Sequence, residues 1–169
     1  MTPAEPIPAR GPGAHTLSEA GRQEIKRLMH LYEHRQSALL PALFVAQTEA
    51  GYLAPWALEA VARELDLPLA EVTSVASFYS LLYLEPVGRH VIQCCTNLSC
   101  MLNGCGAVVA RFQERLGVAP GGTTSDGRFT LRTVECLAAC EEAPAVIIDE
   151  ERWARVRPDG VDGLLARYP

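Results

Sequence analysis

The residues with the clearest chemistry in this 169-residue chain are its six cysteines. Four lie in CCTNLSCMLNGC, residues 94–105, and two in CLAAC, residues 136–140. Cys95 and Cys100 are separated by four residues, Cys136 and Cys140 by three, and 35 residues lie between these two pairs. Thiolates are ligands for soft and borderline metals, and four of them delivered from two loops can form one pocket. A structural zinc site takes four thiolates, but its tight knuckles usually space them C-x₂-C. A [2Fe–2S] cluster takes two thiolates on each of two irons, so each loop can serve one iron. Loops of three or four residues also let backbone N–H groups point at the sulfurs. The apolar Leu98, Met101 and Leu137 are placed to keep water away. A thioredoxin-type thiol enzyme wants C-x-x-C at a helix start, which neither pair supplies. A nucleophilic cysteine partnered by His90 would need an oxyanion hole and a substrate pocket, and no motif marks either. The spacing favours an iron–sulfur centre, with zinc and thiol redox chemistry as the alternatives.

The bulk composition narrows the setting. A hydrophobic fraction of 49% and a charged fraction of 21% are those of a soluble globular chain. A formal charge of −5 leaves no dominant basic face for nucleic acid. The longest apolar runs fall well short of the ~20 residues of a membrane-spanning helix. The opening MTPAEPIPARGPGAH has no apolar h-region and reads as neither a secretory signal nor an organelle presequence. The expectation is a chain in reducing cytosol, where structural disulfides are rare.

These cysteines must be positioned by the elements around them. Residues 1–15, rich in proline and glycine, read as a flexible tail. Thr16-Leu-Ser-Glu19 fits a capping box, and Ile25, Leu28, Met29 and Tyr32 follow as a helical stripe. Leu40, Leu43, Phe44 and Gln47 suggest a second helix stopped by Gly51. Pro55 opens a third, with Leu58, Val61, Ala62 and Leu65, and Val72, Val75, Ala76 and Tyr79 mark a fourth. Four short amphipathic helices predict a small helical bundle over residues 16–86. The pattern then changes. His90 to Cys94 reads as a buried strand entering the first cysteine loop, and Val108, Val109, Phe112 and Leu116 as a helix ending at Gly117. Phe129 to Val134 reads as a strand entering the second loop. Ala145–Ile148 and Trp153–Val156 read as two more strands around a solvated Asp149-Glu150-Glu151 turn, and Pro158 opens a last helix. Residues 87–169 are thus expected to form an α/β layer structure with its cysteine loops just beyond strand ends, and the fold class of the whole is α+β.

Taken in order, VASFYS, EPVGRHVIQC, CTNLSCMLNG, TTSDGRFTL and ECLAACEEAPAVIID resemble the NuoE-type subunits of respiratory complex I, the NADH:quinone oxidoreductase, over about residues 18–169. The resemblance implies a thioredoxin-like [2Fe–2S] ferredoxin domain behind the helical bundle. It implies one [2Fe–2S] cluster, with Cys95 and Cys100 on one iron and Cys136 and Cys140 on the other. Cys94 and Cys105 depart from the family's ligand pattern and read as small buried thiols. The family's partner is a NuoF-type flavoprotein that binds NADH and FMN. The implied role is a redox subunit without a catalytic residue or substrate site of its own, on the cytoplasmic face of the cell membrane but not inserted in it. The same module in a soluble NAD-linked formate dehydrogenase or hydrogenase is the near alternative, and a zinc-bound, redox-silent assembly subunit the distant one.

The remaining candidates are weaker. His30 and His34 are one helical turn apart without a third ligand, and His15 stands alone. The glycines at 104, 106, 121 and 122 do not follow G-x-G-x-x-G and predict no nucleotide site. Gly104 and Gly106 read as places where backbone passes close to the cluster or a partner. Trp56, Phe78, Tyr79 and Trp153 are core or subunit-contact residues.

Overall fold

The computed structural model describes residues 16–169, so the expected tail and His15 lie outside the described residues. The chain divides into two compact units between Pro86 and Val87.

Among its described residues the first unit holds four α-helices: α1 (Glu19–Met29), α2 (Leu39–Ala50), α3 (Pro55–Leu65) and α4 (Leu69–Phe78). The cap of α1 differs from the expected box. Ser18, not Thr16, is the N-cap, and its Oγ accepts the Gly21 N–H at 2.9 Å. Glu19 is the first helical residue and bonds Arg22 and Gln23 at the surface. The returning carboxylate comes from α2 instead. Glu49, 1% exposed, accepts the Ser18 backbone N–H at 2.8 Å and the Ser18 hydroxyl. A Cβ at Gly21 would stand 2.5 Å from Glu49 Oε1, so this approach requires glycine.

Helix α2 buries Leu39, Ala42, Leu43, Ala46 and Ala50, which shifts the expected face, and it leaves Phe44 exposed. It is apolar on nearly every side, so hydrophobic period alone does not select a face. Gln47 turns to the chain after α4, accepting the Tyr83 N–H at 2.6 Å and donating to the Leu81 carbonyl at 2.9 Å. Gly51, with φ 80°, ends the helix. Pro55 takes the N1 position of α3, whose Leu58, Val61, Ala62 and Leu65 are all buried.

The second unit contains β1 (His90–Cys95), α5 (Leu98–Leu102), α6 (Cys105–Leu116), β2 (Phe129–Val134), β3 (Val146–Ile148), β4 (Glu151–Trp153) and α7 (Val161–Leu165). The four strands form one sheet in the order β2-β1-β3-β4. β1 and β2 are parallel and joined through α5 and α6, whereas β3 is antiparallel to both β1 and β4. Strand β1 is central and buried from Val91 to Cys95, as expected of a strand covered on both faces. Ile92 and Cys94 share a core with Val108 and Phe112 of α6, Leu131 and Ile148. Burial of each large apolar side chain there contributes about 1.5–3 kcal/mol.

Two details depart from the sequence reading. α5 has no counterpart in the hydrophobic pattern, and the last strand is Glu151–Trp153 rather than 153–156. The strand stops because Arg155 adopts a left-handed conformation, φ 49°, which breaks the extended chain. The preceding turn is also more than a solvated one. The Asp149 carboxylate accepts the Val91 N–H at 2.9 Å and meets His90 Nδ1 at 2.7 Å. Glu151 accepts from the Tyr168 hydroxyl at 2.7 Å.

Candidate metal centre

Parallel pairing of β1 with β2 sets both cysteine loops at the same end of the sheet. The register pairs Cys95 with Val134, and the Thr96 N–H donates to the Val134 carbonyl at 3.0 Å. Cys95 closes β1, and Cys136 follows the end of β2 by two residues. On the other side of β1, the Cys95 N–H donates to the Ala145 carbonyl at 3.1 Å, which holds the chain after the second loop against the first. Cys100 projects inward from α5, and Cys140 opens a 3-10 turn.

The loops are also tied to each other by side chains. Ser99 Oγ donates to the Cys140 carbonyl at 2.9 Å, and Asn97 Nδ2 donates to Glu135 at 2.9 Å. The Asn97 oxygen caps α5 through the Leu98 N–H at 2.8 Å. Partners 41 and 38 residues apart leave no local signature, and sequence reasoning missed all three residues.

Cys95 and Cys100 are buried together with Cys105, Ala139 and Ala145, while Cys136 and Cys140 are exposed. Among the described residues no three His, Cys, Asp or Glu side chains converge on one metal position. The Cys136 and Cys140 Sγ atoms are 3.6 Å apart. Two thiolates on one tetrahedral metal, each at ~2.3 Å, lie roughly 3.8 Å apart. The Ala138 N–H reaches Cys136 Sγ at 3.4 Å, from a residue in the left-handed conformation with φ 54°. Burial pushes the Cys100 thiol up, with the Ala145 backbone N–H pulling the other way. The hydrogen bond to Cys136 raises Cys140. The donor set, two thiolate pairs with main-chain N–H groups at sulfur, fits a [2Fe–2S] group.

The two departing cysteines separate. Cys94 faces the main core with Ile92 and Phe112, where burial pushes its thiol up to about 12. Cys105, the first residue of α6, packs instead in the cluster of Cys95 and Cys100. Gly104 before it has φ 86°, a conformation that favours glycine, whereas Gly106 faces open space. Leu98 and Met101 do not shield the sulfurs. They are 61% and 58% exposed, with Leu102 at 76%, because a helix that turns Cys100 inward turns these three outward. Leu137 does pack against the buried sulfurs. His90 pairs with Asp149 rather than with any cysteine.

Residues 25–169 match the family model described as thioredoxin-like [2Fe-2S] ferredoxin. The chain belongs to this family. It is 43% identical over 152 residues to the E subunit of NADH-quinone oxidoreductase from Pseudomonas aeruginosa, covering 90% of this chain and 92% of that one. Identity to the corresponding NADH-quinone oxidoreductase chain of Escherichia coli K12 is 40% over 155 residues, covering 92% of this chain and 93% of the relative. Among solved structures, the ferredoxin-family chain is similar to a chain of the NAD+-reducing [NiFe]-hydrogenase in the air-oxidized state. The TM-score is 0.67 at 26% identity, over 82% of this chain but only 25% of that one. As a member of the family the chain is an α+β protein of the thioredoxin-like class.

Proposed function

We propose that this chain is the electron-carrying, NuoE-type component of an NADH:quinone oxidoreductase, holding one [2Fe–2S] cluster on Cys95, Cys100, Cys136 and Cys140. The observation that carries the reading is identity of 43% to such a component along nearly the full length of both chains. When bound, such a cluster supplies one-electron transfer with no open coordination site for a substrate. The chain's own residues then have limited tasks. Cys95 and Cys100 hold one side from a buried, water-poor position; Cys136 and Cys140 hold the other at the surface. The Ala138 N–H, at 3.4 Å from Cys136 Sγ, stabilises negative charge on that sulfur.

The exposed pair is the side on which a partner would approach, with Leu98, Met101 and Leu102 as an apolar rim. That partner is the NuoF-type flavoprotein carrying NADH and FMN, and single electrons pass between its flavin and this chain. Among the described residues no helix is long and apolar enough to cross a membrane. The reading places the chain in the peripheral arm, on the cytoplasmic face of the cell membrane.

A second reading is favoured by the hydrogenase likeness: the same module in a soluble NAD-linked hydrogenase. Identity to that chain is 26%, against 43% to the NADH-quinone oxidoreductase relative. The higher identity favours the first reading.

The test is anaerobic purification, with iron and sulfide measured per chain and an EPR spectrum after dithionite reduction. Two irons, two sulfides and a rhombic S = 1/2 signal are expected of a [2Fe–2S] centre. Zinc without that signal would make the chain a redox-silent subunit.

A further inference from the structure

A concavity lies against the chain that follows each cysteine loop. Gly104, beyond Cys100, and Glu141 and Pro144, beyond Cys140, enclose with Arg155 and Arg157 a cavity of about 450 Å³. The arginine segment is fixed. The Arg155 N–H donates to the Glu142 carbonyl at 2.8 Å and the Val156 N–H to the Pro144 carbonyl at 3.0 Å. Val156 is buried in the core, and the arginines on either side of it stay exposed. Arg155 is held at φ 49°, a left-handed conformation that non-glycine residues rarely adopt.

These two guanidinium groups differ from their neighbours. Arg111 and Arg115 pair with Asp162, Arg152 with Glu142, and Arg128 donates to the Tyr168 carbonyl. Arg155 and Arg157 have no side-chain hydrogen bond or ion pair among the described residues. Two guanidinium groups and the Glu141 carboxylate leave one positive charge in excess at the cavity. That balance suits a single carboxylate, which arginine binds through paired N–H donors, better than a di- or triphosphate.

We propose that this cavity receives a carboxylate side chain of the flavoprotein partner, and that Arg155 and Arg157 are the charged anchor seating that partner beside the Cys140 loop. The inference rests on the partner assignment above and adds to it the residues that make the contact.

The test uses the cluster-loaded full chain as wild type, as R155E/R157E and as R89E. Arg89 is an exposed arginine preceding the start of β1, the opposite end of that strand from Cys95. Binding to the purified flavoprotein is titrated at low and high salt, with the visible and EPR spectra of each variant recorded first. The double reversal is expected to keep the wild-type spectra and weaken binding by about tenfold or more, and R89E by less than about twofold. The wild-type affinity should also fall with salt more steeply than that of the double variant. Equal affinity of the double variant and wild type, or equal weakening by R89E, overturns the anchor while leaving the partner standing. Failure of the wild type to bind the flavoprotein at all overturns the partner assignment, and the anchor falls with it.

Discussion

Cys94 and Cys95 are consecutive residues of β1 that belong to different cores. Cys94 packs with Ile92 and Phe112, and Cys95 with Cys100, Cys105 and Ala145. Alternation along a strand sends neighbours to opposite faces, so one sulfur supports the sheet while the next faces the second cysteine loop.

Substitution should separate the two. Cys95→Ala, Cys100→Ala, Cys136→Ala and Cys140→Ala are each expected to purify without iron. Cys94→Ala should keep two irons per chain and lose about 1 kcal/mol of stability from the small cavity it leaves. Cys105→Ala should also keep the cluster. Iron and sulfide analysis with urea denaturation checks all six, and a Cys94→Ala protein without iron would sink the assignment.

In the metal-free chain the thiols should react in the order of their exposure. Cys136 and Cys140 are exposed and Cys94 is buried with its thiol pushed up to about 12. A raised value means that Cys94 remains protonated at pH 8 and becomes thiolate only as the pH nears that figure, and thiolate is the reactive form. Timed alkylation at pH 8 followed by peptide mass spectrometry should label Cys136 and Cys140 first and Cys94 last. Cluster loading should protect the first two.

Ser99 ties the two cysteine loops together. Its hydroxyl bridges the two loops at the Cys140 carbonyl. Ser99→Ala should cost about 0.5–1.5 kcal/mol and quicken loss of iron to a chelator. An unchanged chelation rate would make that contact incidental.

Glu49 plays the corresponding part in the helical unit. Glu49→Ala leaves the buried Ser18 N–H and hydroxyl without their acceptor. The expected loss is about 1–3 kcal/mol for each buried group left unsatisfied. Glu49→Gln, which keeps an acceptor oxygen, should recover part of it. Denaturant titration followed by helix circular dichroism reports the loss, and the iron content should stay at the wild-type value.

Much of this was legible in the chain because it was periodic or closely spaced. The stripes Ile25–Leu28 and Leu58–Leu65 and the strands leading to Cys95 and Cys136 follow from alternation and 3.6-residue spacing. The four candidate sulfurs stand out because each pair is nearly local. What stayed hidden depended on distant partners or on local backbone shape. Ser18 takes its capping carboxylate from Glu49, 31 residues away, so Thr16-Leu-Ser-Glu19 offered a self-contained box that does not form. Five residues are too few for α5 to display a period, which concealed that Leu98 and Met101 face outward. The left-handed Arg155 ends β4 early, and arginine carries no signal for that conformation.

The parallel β1–β2 pairing also sets an order of manufacture. A chain emerging from the ribosome presents Cys95 and Cys100 well before Cys136 and Cys140, with 35 residues between the pairs. Two parallel strands cannot join until the intervening helix has crossed over between them. Half of the sulfur set is therefore complete while the other half is still unsynthesised. Delivery of iron and sulfide to the finished site is a task for after synthesis of the second loop, and any metal captured earlier is held by one loop alone.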